Sequence, residues 1–448
     1  MPASTSDVLR VAVIADSDTR WKWGALTARR LSVGDTRLSG FLLRGRATPT
    51  PRQLAEAGSG VDPGAVREVT GAEFLRAVES DGYDVVVLAL VGGAVQAMLH
   101  GLAALGQGLS GPGRRPVVVT GYVGVVYEKL ADGLLLRHGA DVVLANSLHD
   151  AERFRAVYEG VGADASAVTG AALPFLGGAP YAGGALRTVV FAAQPSVPAS
   201  REGRTYLLRR LAEHARLHPD REVLLKLRSQ PGEHTTHIEE LPYQKLAEKL
   251  PGGLPANLRL VYGHMGEVLD RTDLLVTVSS TAALESLHRR IPTAVLTDLG
   301  IREALGNHHF LGSGCLVSWD QLDSGTSPEP DPAWLARQGV AAGGPAAAGD
   351  SYGSAGASYD TAFDAVRERV ARLLLDPRLP PIEPYYTLTT APGYLPGILA
   401  RYRLDAAPAA EPGGVRRVVR DAVRDAARGA YRHGVQRVAP VIRRMGEL

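Results

Sequence analysis

Short apolar runs alternate with segments of helical periodicity along this chain. Runs such as DVVVLAL and DLLVTVSS show no strict alternation of apolar and polar positions. Such runs indicate strands that are buried on both faces, as in a parallel sheet covered by helices. The runs predicted to form strands are VLRVAVIAD, FLLRG, DVVVLAL, RRPVVVTG, ADVVLANS and AVTGAALP, followed by RTVVFAAQ, EVLLKLR, LRLVYG, DLLVTVSS and TAVLTD.

An uncharged, glycine-rich segment separates the two series of strands. This segment, GGAPYAGGAL at residues 177–186, has the composition of a linker. A chain of 448 residues is long enough for roughly two or three domains. We therefore predict an α/β protein with two Rossmann-like, doubly wound domains, residues 1–180 and 187–375, that face each other across a cleft.

Two segments depart from the alternation of strands and helices. Residues 323–358 are rich in Gly, Ala, Ser and Pro, which predicts a flexible insertion in the second domain. Residues 376–405 contain PGYLPGILARYRL and are predicted to cross back onto the first domain.

The chain ends in a basic segment, residues 413–448. The stretch from Val415 to Met445 carries nine arginines against two aspartates, with valines at helical spacing. This pattern is typical of an amphipathic helix that lies on an anionic membrane surface. A solvated tail whose Asp and Arg side chains pair locally is the alternative, and the pattern does not separate the two.

Composition narrows the class of protein. A net charge of +2 does not favour a nucleic-acid partner, and the single Cys315 excludes an internal disulfide or a site of several thiolates. The N-terminus lacks the pattern of a secretory signal. The stretch from Val85 to Leu109 has no formally charged residue and is long enough to span a bilayer, but Gly92 and Gly93 divide it into a strand and a helix. We expect a cytoplasmic protein, peripheral on the inner face of the plasma membrane if the tail binds lipid.

LLVTVSSTAALES suggests a phosphate site. Ser279, Ser280 and Thr281 follow a buried strand and precede a helix. The unpaired N–H groups and the dipole at a helix start favour an anion there, and small hydroxyls can add donors. Glu285 falls one turn inside the helix, within reach of a ribose hydroxyl or another sugar-like group. The alternative is simple N-capping by Ser or Thr, with Glu285 exposed.

Basic residues follow the strand EVLLKLR. Lys226 and Arg228 share one face of the strand end, and His234 and His237 follow in SQPGEHTTH. Because ligands of open α/β sheets bind at the carboxyl ends of strands, these residues suggest a diphosphate or phosphodiester site. A basic surface loop is the alternative. The histidine spacing alone does not make a zinc site, and we expect no metal.

Turns that follow other strands also hold candidate residues. His264 and Met265, in VYGHMGEV, follow a strand and could contact a nucleobase. In ADSDTRWKWG, a carboxylate could deprotonate an acceptor hydroxyl and the tryptophans could stack on a sugar, although capping and core packing explain the same residues. The residues assigned to the base and acceptor sites are Asp16, Asp18, Arg20, Trp21, Trp23, Tyr122 and Glu128.

ADSDTRWKWG, TGYVGVVYEKLADGLLLRHGAD, LLKLRSQPGEHTTH and VTVSSTAALES together resemble an actinobacterial glycosyltransferase family with a domain of unknown function. The resemblance covers roughly residues 8 to 405, apart from the insertion. More distantly, the chain is similar to GT-B sialyltransferases, polysialyltransferases and teichoic-acid polymerases, which use cytidine-activated donors. Their Ser-Ser/Thr motif, which contacts the donor phosphate, matches Ser279, Ser280 and Thr281. Their His-Pro motif has no match, and Lys226, Arg228 and His234 stand in its place.

This resemblance implies a metal-independent GT-B glycosyltransferase with no cofactor. Its donor would be a nucleotide sugar, CMP-linked by preference, and its acceptor a hydroxyl of a glycan or lipid-linked glycan in cell-surface polysaccharide or glycolipid synthesis. Asp16 or Asp18 fits the place of the family's acidic base. A UDP-sugar 2-epimerase-like enzyme is an alternative, although the Ser-Gly-Gly turn of those enzymes is absent. A non-catalytic nucleotide- or membrane-binding protein is another.

Overall fold

The computed structural model describes residues 8–45, 47–108, 114–125, 129–230, 233, 239, 241–340 and 359–404. Within these ranges the strands form two sheets, and every strand pair in both sheets is parallel. The predicted fold class is confirmed: the protein is α/β and GT-B-like, with two Rossmann-like doubly wound domains that face a cleft.

The first sheet has the strand order β3-β2-β1-β4-β5-β6-β7. The central strand β1 pairs with β2 on one side and β4 on the other, so the order of the strands reverses at β1. Ligands of doubly wound sheets bind at such a reversal, outside the carboxyl ends of the strands. The strands are β1 Leu9–Ala15, β2 Thr36–Leu43, β3 Arg67–Val69, β4 Val85–Ala89, β5 Val117–Gly121, β6 Val142–Ala145 and β7 Val168–Gly170. The helices between them are α1 Asp18–Ala28, α2 Pro51–Glu56, α3 Gly71–Asp81, α4 Gly92–Gly108, α5 Leu130–Leu135 and α6 Leu148–Gly160.

The second sheet repeats the same reversal, with the order β10-β9-β8-β11-β12-β13. Strand β8 is central and pairs with β9 and β11. The strands are β8 Thr188–Ala192, β9 Glu222–Lys226, β10 Leu258–Val261, β11 Leu274–Thr277, β12 Thr293–Leu296 and β13 Leu316–Val317. The accompanying helices are α7 Arg201–Leu217, α8 Tyr243–Ala247, α9 Met265–Leu269, α10 Ala282–His288, α11 Trp319–Asp323 and α12 Pro332–Arg337.

The apolar runs of the sequence form the buried strands. Every residue of β4, β5, β6, β11 and β12 is buried, as expected for strands with helices on both faces. The long uncharged stretch divides as predicted, into β4 and α4. In the part of the chain that the structure describes, no helix is both long and apolar enough to cross a bilayer.

The chain returns to the first domain earlier than residue 376. A 3-10 helix, Tyr359–Phe363, leads into α13 Asp364–Leu375, which packs against β5, β6 and β7 of the first sheet. Arg369 donates hydrogen bonds to the carbonyl oxygens of Asp141 and Ser166 in that domain. The last described helix, α14 Leu395–Tyr402, packs against α4. Helix α13, expected in the second domain, therefore completes the first.

Part of the segment expected to be flexible is folded. Helix α12 lies within it, capped by Asp331, whose side chain accepts from the N–H of Trp334. Leu335 is buried, and the Trp334 ring stacks on Phe310. The low-complexity stretch SGTSPEPDP runs directly into this helix, so composition did not reveal the apolar anchors that follow it. Residues 341–358 and the basic tail lie outside the described residues.

Candidate active site

A cavity of about 560 Å³ lies between the carboxyl ends of the two sheets. This volume is in the range of small-molecule sites. The first domain lines it with the start of α1, with Gln53 and Glu56 of α2 and with the loop after β5, and the second with the ends of β8, β9, β10 and β11. The residues predicted from sequence that line it are Asp18, Arg20, Tyr122, Lys226, Arg228, His264, Met265, Ser279, Ser280, Thr281 and Glu285.

Lys226 is a buried cation on the cavity wall. It is the last residue of β9 and only 6% exposed. Its ammonium group donates to the carbonyl oxygen of Leu227 at 2.8 Å. The pKa of Lys226 is lowered to about 8, chiefly by burial. The charges of Arg228 and Arg52 also lower it, and those of Glu56 and Glu285 raise it. Among the described cations of the cavity, Lys226 alone has no carboxylate partner.

The serine-rich turn is more internally bonded than the sequence suggested. The N–H of Ser279 donates to Gln194 Oε1 at 3.0 Å, and the N–H of Ser280 donates to Thr277 Oγ1 at 3.2 Å. The buried Ser279 hydroxyl donates to the carbonyl oxygen of Leu305 at 2.5 Å. Ser279 therefore holds the turn in place, and a ligand would meet the side chains of Ser280 and Thr281.

Asp18 and Arg228 form an ion pair across the cleft. Arg228 Nε donates to Asp18 Oδ2 at 3.1 Å, and Nη2 donates to Oδ1, so the contact is bidentate. Burial raises the pKa of Asp18, but the charge and hydrogen bonds of Arg228 outweigh it, and the net shift is downward. The candidate base and a candidate phosphate ligand are thus bound to each other.

Other ion pairs also join the two domains. Lys22 Nζ lies 3.1 Å from Glu285 Oε2 and 4.5 Å from the centre of the Phe175 ring. Glu285 is 7% exposed, so it is not the exposed residue of the capping interpretation. Arg52 Nε donates to Glu233 at 2.7 Å, and the Thr50 hydroxyl donates to the same carboxylate at 3.1 Å.

Asp16 holds the fold of the first domain and does not line the cavity. Its Oδ1 accepts from Arg20 at 2.9 Å, and its Oδ2 accepts from the N–H of Val91 at 3.0 Å. Both oxygens are therefore engaged where β1 and β4 end. The cap of α1 is Ser17, whose hydroxyl accepts from the N–H of Arg20. Asp18 is the better placed of the two candidate bases.

Trp21 and Trp23 cannot stack on a ligand in the cavity, which corrects their assignment to an acceptor site. Both are fully buried in the first domain. The Trp21 indole N–H donates to Ser59 Oγ at 3.2 Å, and its ring lies over Gly40. The Trp23 ring lies over Gly121. Each ring fills the space left by a strand glycine without a side chain.

The structure describes some of the remaining predicted residues and leaves others outside its described ranges. Tyr122 lines the cavity, but its ring packs on Arg137, whose Cζ lies 4.1 Å from the ring centre, and burial raises its pKa. His264 is partly buried against Gly58 of the first domain, and burial lowers its pKa, so its imidazole is neutral near pH 7. Glu128 and His234 lie outside the described residues.

One cluster of described residues has the geometry for a metal ion, and it lies away from the cavity. It consists of His214, His218 and Asp323, with ligand atoms within 4.8 Å of one another. His214 Nδ1 lies 2.6 Å from Asp323, whose other oxygen accepts from Arg210 at 3.0 Å. Arg221 approaches the second nitrogen of His214. The two guanidinium groups already neutralise this cluster, so we assign it no metal.

Several cavity residues were not chosen from the sequence. Gln194 lies just after the end of β8, and Lys226 lies at the end of β9. Its position at a strand end was therefore the signal by which Gln194 could have been predicted. Lys22 stood within the quoted motif ADSDTRWKWG. Glu56, which pairs with Arg52 outside the cavity lining, carries no local pattern, because its position at the cavity depends on how the two domains meet.

Several solved structures are similar to this chain at low sequence identity. A search of solved structures finds the UDP-GlcNAc 2-epimerase of Neisseria meningitidis bound to UDP-GlcNAc, at 10% identity over 81% of this chain and 100% of that chain, with a TM-score of 0.48. It also finds the glycotransferase of kitacinnamycin, at 13% identity over 88% and 95%, with a TM-score of 0.41. The E. coli heptosyltransferase WaaC with ADP-2-deoxy-2-fluoro heptose matches at 18% identity over 66% and 90%, with a TM-score of 0.33.

No curated protein matches the chain significantly. The family model described as "Putative glycosyltransferase (DUF6716)" matches residues 11–351, which include both sheets and every cavity residue named above. This match spans well over half of the 448 residues. The chain therefore belongs to the "Putative glycosyltransferase (DUF6716)" family.

Proposed function

We propose that this protein transfers a sugar from a nucleotide-sugar donor, CMP-linked by preference, to a hydroxyl acceptor without a metal ion. The observation that carries the proposal is Lys226, a buried ammonium group without a carboxylate partner in the cavity between the domains. A buried cation is costly unless an anion compensates it. A donor phosphate is the anion that a member of this family would bring to that place.

The ion pairs around the cavity single out Lys226. Among the other described lysines and arginines that line it, Arg20 pairs with Asp16, Lys22 with Glu285, and Arg228 with Asp18. Lys226 is therefore the cation that a donor phosphate would compensate. The preference for a CMP-linked donor comes from the resemblance of the turn at Ser279, Ser280 and Thr281 to the motif of enzymes that use cytidine-activated donors.

The transfer step assigns each group a role. The acceptor oxygen attacks the anomeric carbon of the donor sugar while its proton passes to the Asp18 carboxylate. The bond between that carbon and the phosphate oxygen breaks, and its electron pair stays on the phosphate. Lys226, Arg228 and Ser280 stabilise the departing phosphate, which is the electrostatic stabilisation that leaving-group chemistry requires.

The donor side of the cavity belongs to the second domain. His264 and Met265 are proposed to contact the nucleoside, and Glu285 a sugar hydroxyl. The acceptor is proposed to enter from the first domain, past Arg20 and Tyr122. It is a glycan or lipid-linked glycan of the cell surface, and the basic tail would hold the protein at the inner face of the plasma membrane.

The first test is thermal stability against CMP, CDP, UDP, GDP and TDP. A ligand that binds the native state raises stability by RT ln(1 + [L]/Kd). We expect a selective rise with CMP that is lost in Lys226→Ala and weakened in Ser280→Ala, while Lys245→Ala, an exposed lysine outside the cavity, serves as the matched control. A shift with UDP or GDP would change the donor, and no shift with any nucleotide would favour a non-enzymatic role.

A second test separates a transferase from an epimerase. The nucleotide sugar that binds is incubated with the protein without an acceptor, and the sugar is analysed by NMR. An epimerase converts its substrate alone, whereas a transferase needs an acceptor to give a stoichiometric product. Conversion to a C2 epimer without acceptor would replace the proposed function by the epimerase alternative.

A further inference from the structure

The bidentate pair of Asp18 and Arg228 has the form of a ligand contact. A guanidinium group binds carboxylate and phosphate in the same way, through two parallel N–H donors on two oxygens. Asp18 is the first residue of α1 in the first domain, and Arg228 follows β9 in the second. Both residues line the cavity, and both are partly exposed to it, with 15% and 27% of their side chains accessible.

Asp18 is held less firmly than its neighbour Asp16. Besides Arg228, its side chain is bonded among the described residues only to its chain neighbour Thr19, through a hydroxyl contact of 3.4 Å and a backbone hydrogen bond. Asp16, in contrast, is fixed by Arg20 and by the backbone of Val91. Arg228 has no other carboxylate partner in the described part of the chain. The Asp18–Arg228 pair can therefore open with the loss of contacts to Thr19 alone, and the two partners can separate into the cavity.

Lys226 lies beside this pair. Lys226 and Arg228 both line the cavity, and they stand at alternate positions where β9 ends. A phosphate that binds the Lys226 ammonium group therefore comes within reach of the Arg228 guanidinium. It would meet Arg228 at the place that the Asp18 carboxylate occupies.

We propose that the Asp18 carboxylate occupies the place of the donor phosphate on Arg228, and that the arriving phosphate displaces it and frees Asp18 to act on the acceptor. This inference rests on the proposed function and adds a regulation of the same site. Two cations, Lys226 and Arg228, then share one phosphate, and the released carboxylate balances the remaining charge. Donor binding and activation of the base become one event, so the donor binds before the acceptor reacts.

The release also strengthens the base. In the closed pair, Arg228 is the cause that lowers the pKa of Asp18, while burial acts in the opposite direction. When the phosphate takes over Arg228, the effect of burial remains, and the carboxylate becomes more basic. A proton is then taken from the acceptor only where a donor is already in place.

The inference predicts that removal of a carboxylate improves nucleotide binding. Asp18→Asn keeps the shape of the side chain but removes the charge that competes for Arg228. We expect CMP and inorganic phosphate to bind about twofold to tenfold more tightly than to the unaltered protein, while turnover is lost. Arg228→Gln is expected to weaken both ligands at least tenfold. Isothermal titration calorimetry at low ionic strength gives each Kd.

The control for domain opening is Arg337→Gln. This substitution breaks another bridge between the domains, to Glu152, and neither residue lines the cavity. If Arg337→Gln tightens CMP binding as much as Asp18→Asn does, looser closure is the cause and the inference is wrong. Asp18→Ser is measured beside Asp18→Asn, and circular dichroism verifies that each variant is folded.

The outcomes separate this inference from the proposed function. If the unaltered protein binds CMP or another nucleotide and both Asp18 variants bind it equally or more weakly, the competition is refuted and the transferase remains. If the unaltered protein binds neither nucleotides nor phosphate, the proposed function and this inference fall together. Tighter binding in both Asp18 variants, with Arg337→Gln unchanged, supports the exchange.

Discussion

The ammonium group of Lys226 donates its hydrogen bond to the carbonyl oxygen of Leu227, its own neighbour in the chain, at 2.8 Å. A fall in pKa from 10.5 to about 8 corresponds to about 3 kcal/mol of unfavourable free energy for the charged form. The fold therefore tolerates a destabilising charge at the wall of its cavity, which is typical of residues kept for ligand binding.

The first prediction is that Lys226→Met stabilises the protein. Methionine fills similar space without a charge, so we expect the free energy of unfolding at pH 7 to rise by about 1–3 kcal/mol. The same variant loses nucleotide binding. Guanidinium denaturation measures the stability, and Lys245→Met at an exposed position should stay within about 0.5 kcal/mol of the unaltered protein. A destabilised Lys226→Met variant would mean that the ammonium group supports the fold.

The second prediction concerns pH. Because the pKa of Lys226 is lowered to about 8, the ammonium group is charged below that pH and loses its proton above it. CMP affinity should therefore fall by about twofold between pH 7 and 8 and by up to about tenfold for each further pH unit. Lys226→Arg keeps its charge throughout and should flatten this profile. Calorimetry up to pH 9.5 that shows equal profiles in both proteins would contradict the prediction.

The third prediction tests the packing of Trp21. A Cβ at Gly40 would lie 2.5 Å from the Trp21 ring, which is closer than two atoms can pack. Gly40→Ala should destabilise the protein by about 1–3 kcal/mol, measured by thermal or denaturant unfolding. The control is Gly34→Ala, where the nearest atom lies 3.7 Å away and the residue is exposed. Equal stability of the two variants would show that Trp21 is not held against β2.

The fourth prediction concerns Cys315, the single cysteine of the chain. It is fully buried, and burial raises the pKa of its thiol to about 11. The native protein should therefore not react with Ellman's reagent at pH 8, where the thiolate fraction is about one in a thousand. Unfolding in guanidinium should expose one reactive thiol per chain. A full reaction within minutes in the native state would contradict the described packing.

The fifth prediction concerns the basic tail. If it binds anionic membranes, the full chain should sediment with vesicles of phosphatidylglycerol, and a chain that ends at residue 412 should not. The binding of the full chain should weaken as salt rises from 0.05 to about 0.5 M. Equal sedimentation of both chains would refute the role of the tail. Uncharged phosphatidylcholine vesicles are the control surface.

The sequence predicted the strands and the strand-end residues well for a physical reason. A run such as VVVLA can only be buried on both faces, so β4 and its neighbours follow from composition alone. Parallel strands bring all their carboxyl ends to one edge. Lys226 and Arg228 therefore meet Ser279 at the cavity, although Ser279 lies far from them in the chain.

Other features could not be predicted because they depend on tertiary contacts. Trp21 and Trp23 are two positions apart on α1, yet both are buried, because Gly40 and Gly121 leave space for them on the sheet. The pairing of Asp18 with Arg228 joins residues 210 positions apart and exists only because two domains meet. A contact between residues so far apart in the chain cannot be predicted from a local sequence pattern.

The return of α13 to the first sheet has a consequence for how the domains fold. The polypeptide passes between the domains twice, once at residues 177–186 and once between α12 and the 3-10 helix at Tyr359–Phe363. The first domain is also discontinuous in the sequence: a fragment cut at the linker would lack α13 and leave the sheet surface beneath Val366 and Val370 uncovered. During synthesis, the core of the first domain therefore cannot be completed until the second domain and α13 have been made.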